Sequence, residues 1–167
     1  MTETVPTRVQ LALNVEDIDV AVAFYSTLFH TEPSKRRPGY ANFAIDQPPL
    51  KLVLLENKGA TERLNHLGVE VRSVDHVDAE QTRLAEAGLA SVDERGTTCC
   101  YAKQDKFWVE GSPDGERWEI YTVLADSPTF FAEPASAAAD GADAGPACCG
   151  GAGAEEATAE VTAAACC

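Results

Sequence analysis

The chain has 167 residues, enough for one domain with a substantial core but not comfortably for two. It is acidic, with 27 Asp and Glu against 13 Lys and Arg and 3 His. Such a field repels nucleic acid and anionic membrane surfaces, so neither is expected as a partner. The first residues, Met1 to Thr4, carry no basic or apolar leader, and no apolar run approaches about 18 residues, which makes the cytoplasm the expected location.

In chain order, residues 9–15 alternate with period two and predict a strand, with Leu11, Leu13 and Val15 on one face and Gln10, Ala12 and Asn14 on the other. Ile18, Ala21, Val22, Tyr25, Leu28 and Phe29 then fall at helical spacing behind Glu16 and Asp17, acids that suit a helix start. Residues 41–45 and 50–55 read as strands. Residues 65–71 repeat the first strand at an offset of 56, with Leu67, Val69 and Val71 on one face and His66, Gly68 and Glu70 on the other. Ser73 caps a second helix through Val74, Val77, Leu84 and Ala87, and Gly88 stops it. Strands over residues 97–102, 107–109 and 117–123 follow, the last two separated by a turn at residues 112–115. Each half is βαβββ-like. The expected fold class is α+β, with modules at about residues 5–57 and 62–127 curling around a shared cleft and the helices outside. From Ala125 onward there are 7 acids and no cation, and after Phe131 the one branched aliphatic is Val161. Residues 128–167 therefore read as a mostly disordered Ala/Gly/acidic tail.

If the helices cover the apolar strand faces, the opposite faces line the cleft. Gln10 and His66 then occupy equivalent positions in the two modules, and Glu119 on the last strand points the same way. The first-module counterpart of Glu119 is about Val53, which cannot ligate. An imidazole, an amide oxygen and a carboxylate form a variant of the two-histidine-one-carboxylate triad of non-haem Fe(II) oxygenases, with coordination positions left open. Taken singly, a strand Gln is usually solvated and a lone His a satisfied polar residue. The repeat ties the two together. His30 and His76 fall at a helix end and on a helix, as surface residues.

The 6 cysteines form three adjacent pairs, Cys99–Cys100, Cys148–Cys149 and Cys166–Cys167. Neighbouring cysteines staple nothing, and the C-x₂₋₄-C spacing of zinc sites is absent. Vicinal dithiols suit a soft ion such as trivalent arsenic, cadmium or monovalent copper. The bland readings are accidental tail composition for the last two pairs and a small buried hydrophobe for a single Cys. In a regular strand adjacent side chains diverge, so Cys99 and Cys100 can share one arsenic only where the backbone turns. Gly96 and the polar residues 103–106 favour a mobile loop there. A trivalent organoarsenical can exchange both hydroxyls for thiolates, which Lys103 and Lys106 would favour.

Residues 9–15, 38–43, 64–71, 99–109 and 113–121 together resemble the ArsI carbon–arsenic lyases and their cadmium-induced relatives, CadI. The similarity spans about residues 8–127 and is most specific in the cysteine-bearing run. It implies a vicinal-oxygen-chelate (glyoxalase-like) fold. It further implies an Fe(II)-dependent dioxygenase, with dioxygen as co-substrate, that releases arsenite from methylarsonite and trivalent aromatic arsenicals. The family's metal ligands fall on Gln10, His66 and Glu119, and its arsenic-binding thiols on Cys99 and Cys100. Tyr101, Lys103 and Tyr121 are expected in the pocket, and Cys148, Cys149, Cys166 and Cys167 as accessory metalloid thiols. A monomer or homodimer acting on a small molecule is expected. The alternatives are a cadmium- or arsenite-sequestering protein, which would not need a nonthiol triad, and an extradiol dioxygenase, which leaves Cys99 and Cys100 without a role.

Overall fold

The structure, a computed structural model, describes residues 7–131. Its elements are β1 (Arg8–Val15), α1 (Ile18–Phe29), β2 (Lys35–Arg37), β3 (Tyr40–Ile45), β4 (Leu50–Glu56), β5 (Leu64–Glu70), α2 (Val74–Glu86), β6 (Ser91–Cys99), β7 (Ala102–Val109) and β8 (Trp118–Asp126). The strands form one eight-stranded sheet in the order β2-β3-β4-β1-β5-β8-β7-β6. Both halves are βαβββ.

The helices start where their caps dictate. Asp17 accepts from the Asp19 and Val20 amides at 2.9 and 3.0 Å, satisfying donors that the first turn leaves unpaired. Ser73 does the same for α2 through the His76 amide. Ile18 and Val22 of α1 bury against Ala41, Phe43, Leu52 and Leu54, with Leu11, Leu13 and Val15 packed beside them. Val77 of α2 is fully buried among Val71, Phe107 and Ile120. The apolar strand faces thus carry the helices, and the other faces are left to line a cleft.

Register makes the two modules equivalent. β1 and β5 pair antiparallel, and each is flanked by the last strand of its own module in parallel, β4 or β8. Ala12 pairs with Val53 where Gly68 pairs with Glu119, so Val53 is the counterpart of Glu119.

Three local expectations are corrected. Residues 103–106 are not a loop: they lie in β7, where Ala102, Gln104 and Lys106 are buried and Lys103 is exposed. Polar side chains turned into the interior hid the strand period. β6 begins at Ser91, and β2 is a short all-cationic strand with no alternation to reveal it. The expected tail boundary also moves, because Phe130 packs with the Tyr40 cluster and Phe131 bridges to Cys99. Residues 132–167, with Cys148, Cys149, Cys166 and Cys167, lie outside the described residues. No helix among the described residues is long and apolar enough to cross a membrane.

Candidate functional site

Gln10, His66 and Glu119 meet in one buried cluster because three adjacent strands deliver them. Gln10 on β1 and Glu119 on β8 both pair with Gly68 on β5. With no side chain between them, they close over that glycine. A Cβ at Gly68 would stand 3.0 Å from Glu119 Cγ and 3.3 Å from Gln10 Cβ. His66 enters from two residues along β5, where the register skips Asn65, so that the strand bulges and aims the imidazole inward.

The three donor groups stand at distances a metal would need. Gln10 Nε2 is 2.9 Å from His66 Nε2 and 2.6 Å from Glu119 Oε1, and His66 Nε2 is 3.3 Å from Glu119 Oε1. Donors about 2.1 Å from a metal and at right angles stand about 3.0 Å apart. As placed, the amide turns its nitrogen towards both partners, and a half-turn brings its oxygen there. Among the described residues no three His, Cys, Asp or Glu gather in this way, so the set is completed by the amide. Asn65 Oδ1, an acceptor only, lies 2.7 Å from His66 Nδ1 and accepts a hydrogen bond from it, which fixes the ring so that Nε2 faces the cluster. There Nε2 would donate to Glu119 in the absence of a metal and offer its lone pair to one that is bound. Asn65 is held in turn by its own donation to Asn14 Oδ1 at 3.1 Å.

Glu119 divides its oxygens. Oε1 faces Gln10 and His66, while Oε2 accepts from Lys106 Nζ at 3.0 Å. Burial alone would push the carboxyl up, but the His66 hydrogen bond and the Lys106 charge outweigh it and hold the group at about 2. Lys106 is 1% exposed and lies over the Trp108 ring, which meets His66 edge-on. Lys106 thus pairs with Glu119 and does not turn the thiols into thiolates.

The thiols lie where β6 turns into β7. Cys99 pairs with Ala102, and the two residues between them, Cys100 and Tyr101, have φ of 55° and 60°. A two-residue hairpin turn demands positive φ at both positions and usually takes Asn and Gly. Bulky residues there are strained by about 1–2 kcal/mol each. Surroundings hold the strain: Lys35 Nζ and the Ser127 amide both donate to the Tyr101 carbonyl, and the Tyr101 ring packs between Tyr40 and Phe130. The turn brings the two Sγ atoms to 3.2 Å, well beyond a bond of about 2.05 Å. Cys99 is in disulfide form here. Burial, aided by the Glu119 charge, pushes the Cys100 thiol up to about 12 against the pull of Lys106 and Lys35.

One cavity of about 210 Å³ is lined by Gln10, His66 and Glu119 and also by Cys99 and Cys100. Tyr121 lines it as expected. Tyr101 lies beneath the turn against Tyr40, and Lys103 faces outward, so neither lines the cavity. Sequence reasoning missed Asn65, Gln104, Lys51 and the structural part of Gly68. The signal for Gln104 was its spacing of two from Lys106, legible only once β7 is known to be a strand.

Residues 7–120 match the Glyoxalase/Bleomycin resistance protein/Dioxygenase superfamily. The chain belongs to that superfamily. It is 67% identical over 127 residues to the cadmium-induced protein CadI of Mycobacterium tuberculosis, covering 76% of this chain and 83% of that one. It is 54% identical over 139 residues to a trivalent organoarsenical cleaving enzyme of Thermomonospora curvata, covering 83% and 91%. Among solved structures, the Mn(II)-bound glyoxalase of Novosphingobium aromaticivorans superposes with a TM-score of 0.51 at 24% identity, covering 73% of this chain and 42% of that one. A homoprotocatechuate 2,3-dioxygenase of Brevibacterium fuscum gives 0.52 at 19%, covering 76% and 35%. These two show the fold, as the paired βαβββ modules predicted.

Proposed function

We propose that this superfamily member is a carbon–arsenic lyase: an Fe(II)-dependent dioxygenase that releases arsenite from trivalent organoarsenicals such as methylarsonite. The observation that carries the proposal is that one small cavity is lined both by the vicinal cysteines Cys99 and Cys100 and by a His–Gln–Glu donor set. The relative named as a trivalent organoarsenical cleaving enzyme supports it.

Gln10, His66 and Glu119 hold the metal, and Fe(II) there would supply the activation of dioxygen. Cys99 and Cys100 hold the arsenic. R–As(OH)₂ exchanges two hydroxyls for two sulfurs, and each thiol proton leaves on a hydroxyl as water. A raised Cys100 pKa is therefore no obstacle. Chelation needs Cys99 reduced, the state that reducing conditions maintain. The second sulfur attaches intramolecularly, at high effective concentration, so the arsenic is held long enough to react. For methylarsonite the net balance is CH₃As(OH)₂ + O₂ → As(OH)₃ + HCHO, in which one dioxygen supplies an oxygen to arsenic and one to carbon. Lys106 keeps Glu119 ionised and aimed, and Asn65 keeps the His66 lone pair inward.

The test is anaerobic loading with Fe(II), then dioxygen and methylarsonite, with arsenite and dioxygen followed together. Arsenite should appear in a 1:1 ratio to dioxygen consumed. His66→Ala and Glu119→Ala should lose stoichiometric Fe(II) and turnover, while Cys99→Ser and Cys100→Ser keep the metal and lose turnover. Full turnover in both serine variants would remove the thiols from the mechanism. The similarity to the cadmium-induced proteins favours a second reading, in which the thiols sequester a metal ion and no arsenite is released under any condition.

A further inference from the structure

Tyr121 and Gln104 line the same cavity and are 1% and 7% exposed. The Tyr121 hydroxyl and Gln104 Oε1 have no hydrogen-bond partner. A buried polar atom left unpaired costs about 1–3 kcal/mol, so such atoms facing a cavity point to a ligand group that satisfies them. Their place in the sheet is specific. Glu119, Tyr121 and Val123 succeed one another on the cavity side of β8, and Lys106 and Gln104 pair with Tyr121 and Val123 from β7. Tyr121 and Gln104 are thus diagonal neighbours, about 7–8 Å apart at the backbone and within joint reach of one group. They stand between Glu119 at one end and the Cys99–Ala102 pair at the other.

Their chemistry is complementary. Gln104 Nε2 faces the Cys99 carbonyl at 3.5 Å, which assigns the free end of the amide as an acceptor. The Tyr121 side chain ends in a phenol O–H, which can donate. One donor and one acceptor carried by residues that line the same cavity fit a hydroxyl, which can accept from the first and donate to the second. A nitro group offers acceptors only, and a methyl group neither. The cavity also limits size. An apolar cavity of about 150 Å³ admits benzene, and about 210 Å³ here leaves room for one substituted ring.

We infer that Tyr121 and Gln104 form a specificity subsite for a ring hydroxyl, making monocyclic hydroxyaryl arsenicals the substrates this cavity binds best. The inference rests on the proposed placement of arsenic at Cys99 and Cys100. It does not depend on turnover.

The probes are phenylarsonous acid and its three monohydroxyphenyl isomers, titrated into the reduced full-length protein under anaerobic conditions, with tryptophan fluorescence as the readout. At least one isomer should bind about 5- to 10-fold tighter than phenylarsonous acid, the worth of about one net hydrogen bond. In Tyr121→Phe and in Gln104→Met that ratio should fall below twofold. Taking a ratio within each variant cancels any general disturbance of the cavity. Equal binding of all four probes to the wild type, or a ratio preserved in both variants, overturns the subsite alone. Failure of the wild type to bind even phenylarsonous acid overturns the arsenical reading, and the subsite with it.

Discussion

Gly68 does at the site what no side chain could, because Gln10 and Glu119 reach each other across the space it leaves. Ala is ordinarily at least as good as Gly in a strand, so Gly68→Ala should fold normally yet weaken Fe(II) binding by tenfold or more. Metal titration checks this, and an unchanged affinity would show that the cradle is not needed. Lys106 makes a different case. Removing one partner of a buried ion pair costs about 3–5 kcal/mol, so Lys106→Met should lower the melting temperature by about 10 °C. Bound Fe(II) should recover part of that loss by giving Glu119 another cation. A melting temperature unmoved with or without metal would contradict the pairing. Cys100 separates the two functional readings. Its thiol, raised to about 12, stays protonated between pH 6.5 and 8.5. Organoarsenical chelation makes water and should show flat affinity over that range. A cadmium ion held by both sulfurs must expel a proton from each protonated thiol and should bind at least about tenfold tighter per pH unit. Competition titrations at the two pH values distinguish these outcomes.

The hairpin joining β6 and β7 shows how an element serves the site. A regular strand would have sent Cys99 and Cys100 to opposite faces. The turn at Cys100–Tyr101 brings their sulfurs to 3.2 Å instead, and β2, through Lys35, and Phe130 hold that strained turn in place. Chain truncation after Phe131 should therefore leave turnover at saturating substrate unchanged, whereas truncation after Ser127 should raise KM severalfold. Steady-state kinetics on the two shortened proteins decide this. Equal kinetics would show that Phe130 and Phe131 do not support the turn. Cys148, Cys149, Cys166 and Cys167 remain proposed scavengers, whose loss should lower the metalloid capacity of the chain but not its rate. Much of this element was hidden in the sequence. Residues 103–106 read as loop because β7 turns Gln104 and Lys106 inward, and the usual period assumes apolar residues there.

The two modules share one sheet through β1 and β5, and the donor set takes Gln10 from the first and His66 and Glu119 from the second. Neither half holds a complete site, and calorimetry should show one cooperative transition rather than two. Acid unfolding should be concentrated between about pH 4.5 and 2. Glu119 titrates at about 2 when folded, below its ordinary value near 4.5, so its contribution is complete above 4.5 and fades as pH falls towards 2. What the sequence determined by itself was the order of elements, the repeat at an offset of 56, and with it the pairing of Gln10 with His66 and of Glu119 with Val53. Those are properties of spacing along the chain, and side-chain period carries them. The tertiary structure alone decided that Lys106 serves Glu119, that Gly68 must be bare, that the backbone turns left-handed at Cys100 and Tyr101, and that Tyr121 and Gln104 face the cavity unpaired. Each of these depends on which atoms meet across strands distant in sequence or on the sign of one dihedral angle. Neither leaves a period in the chain to be read.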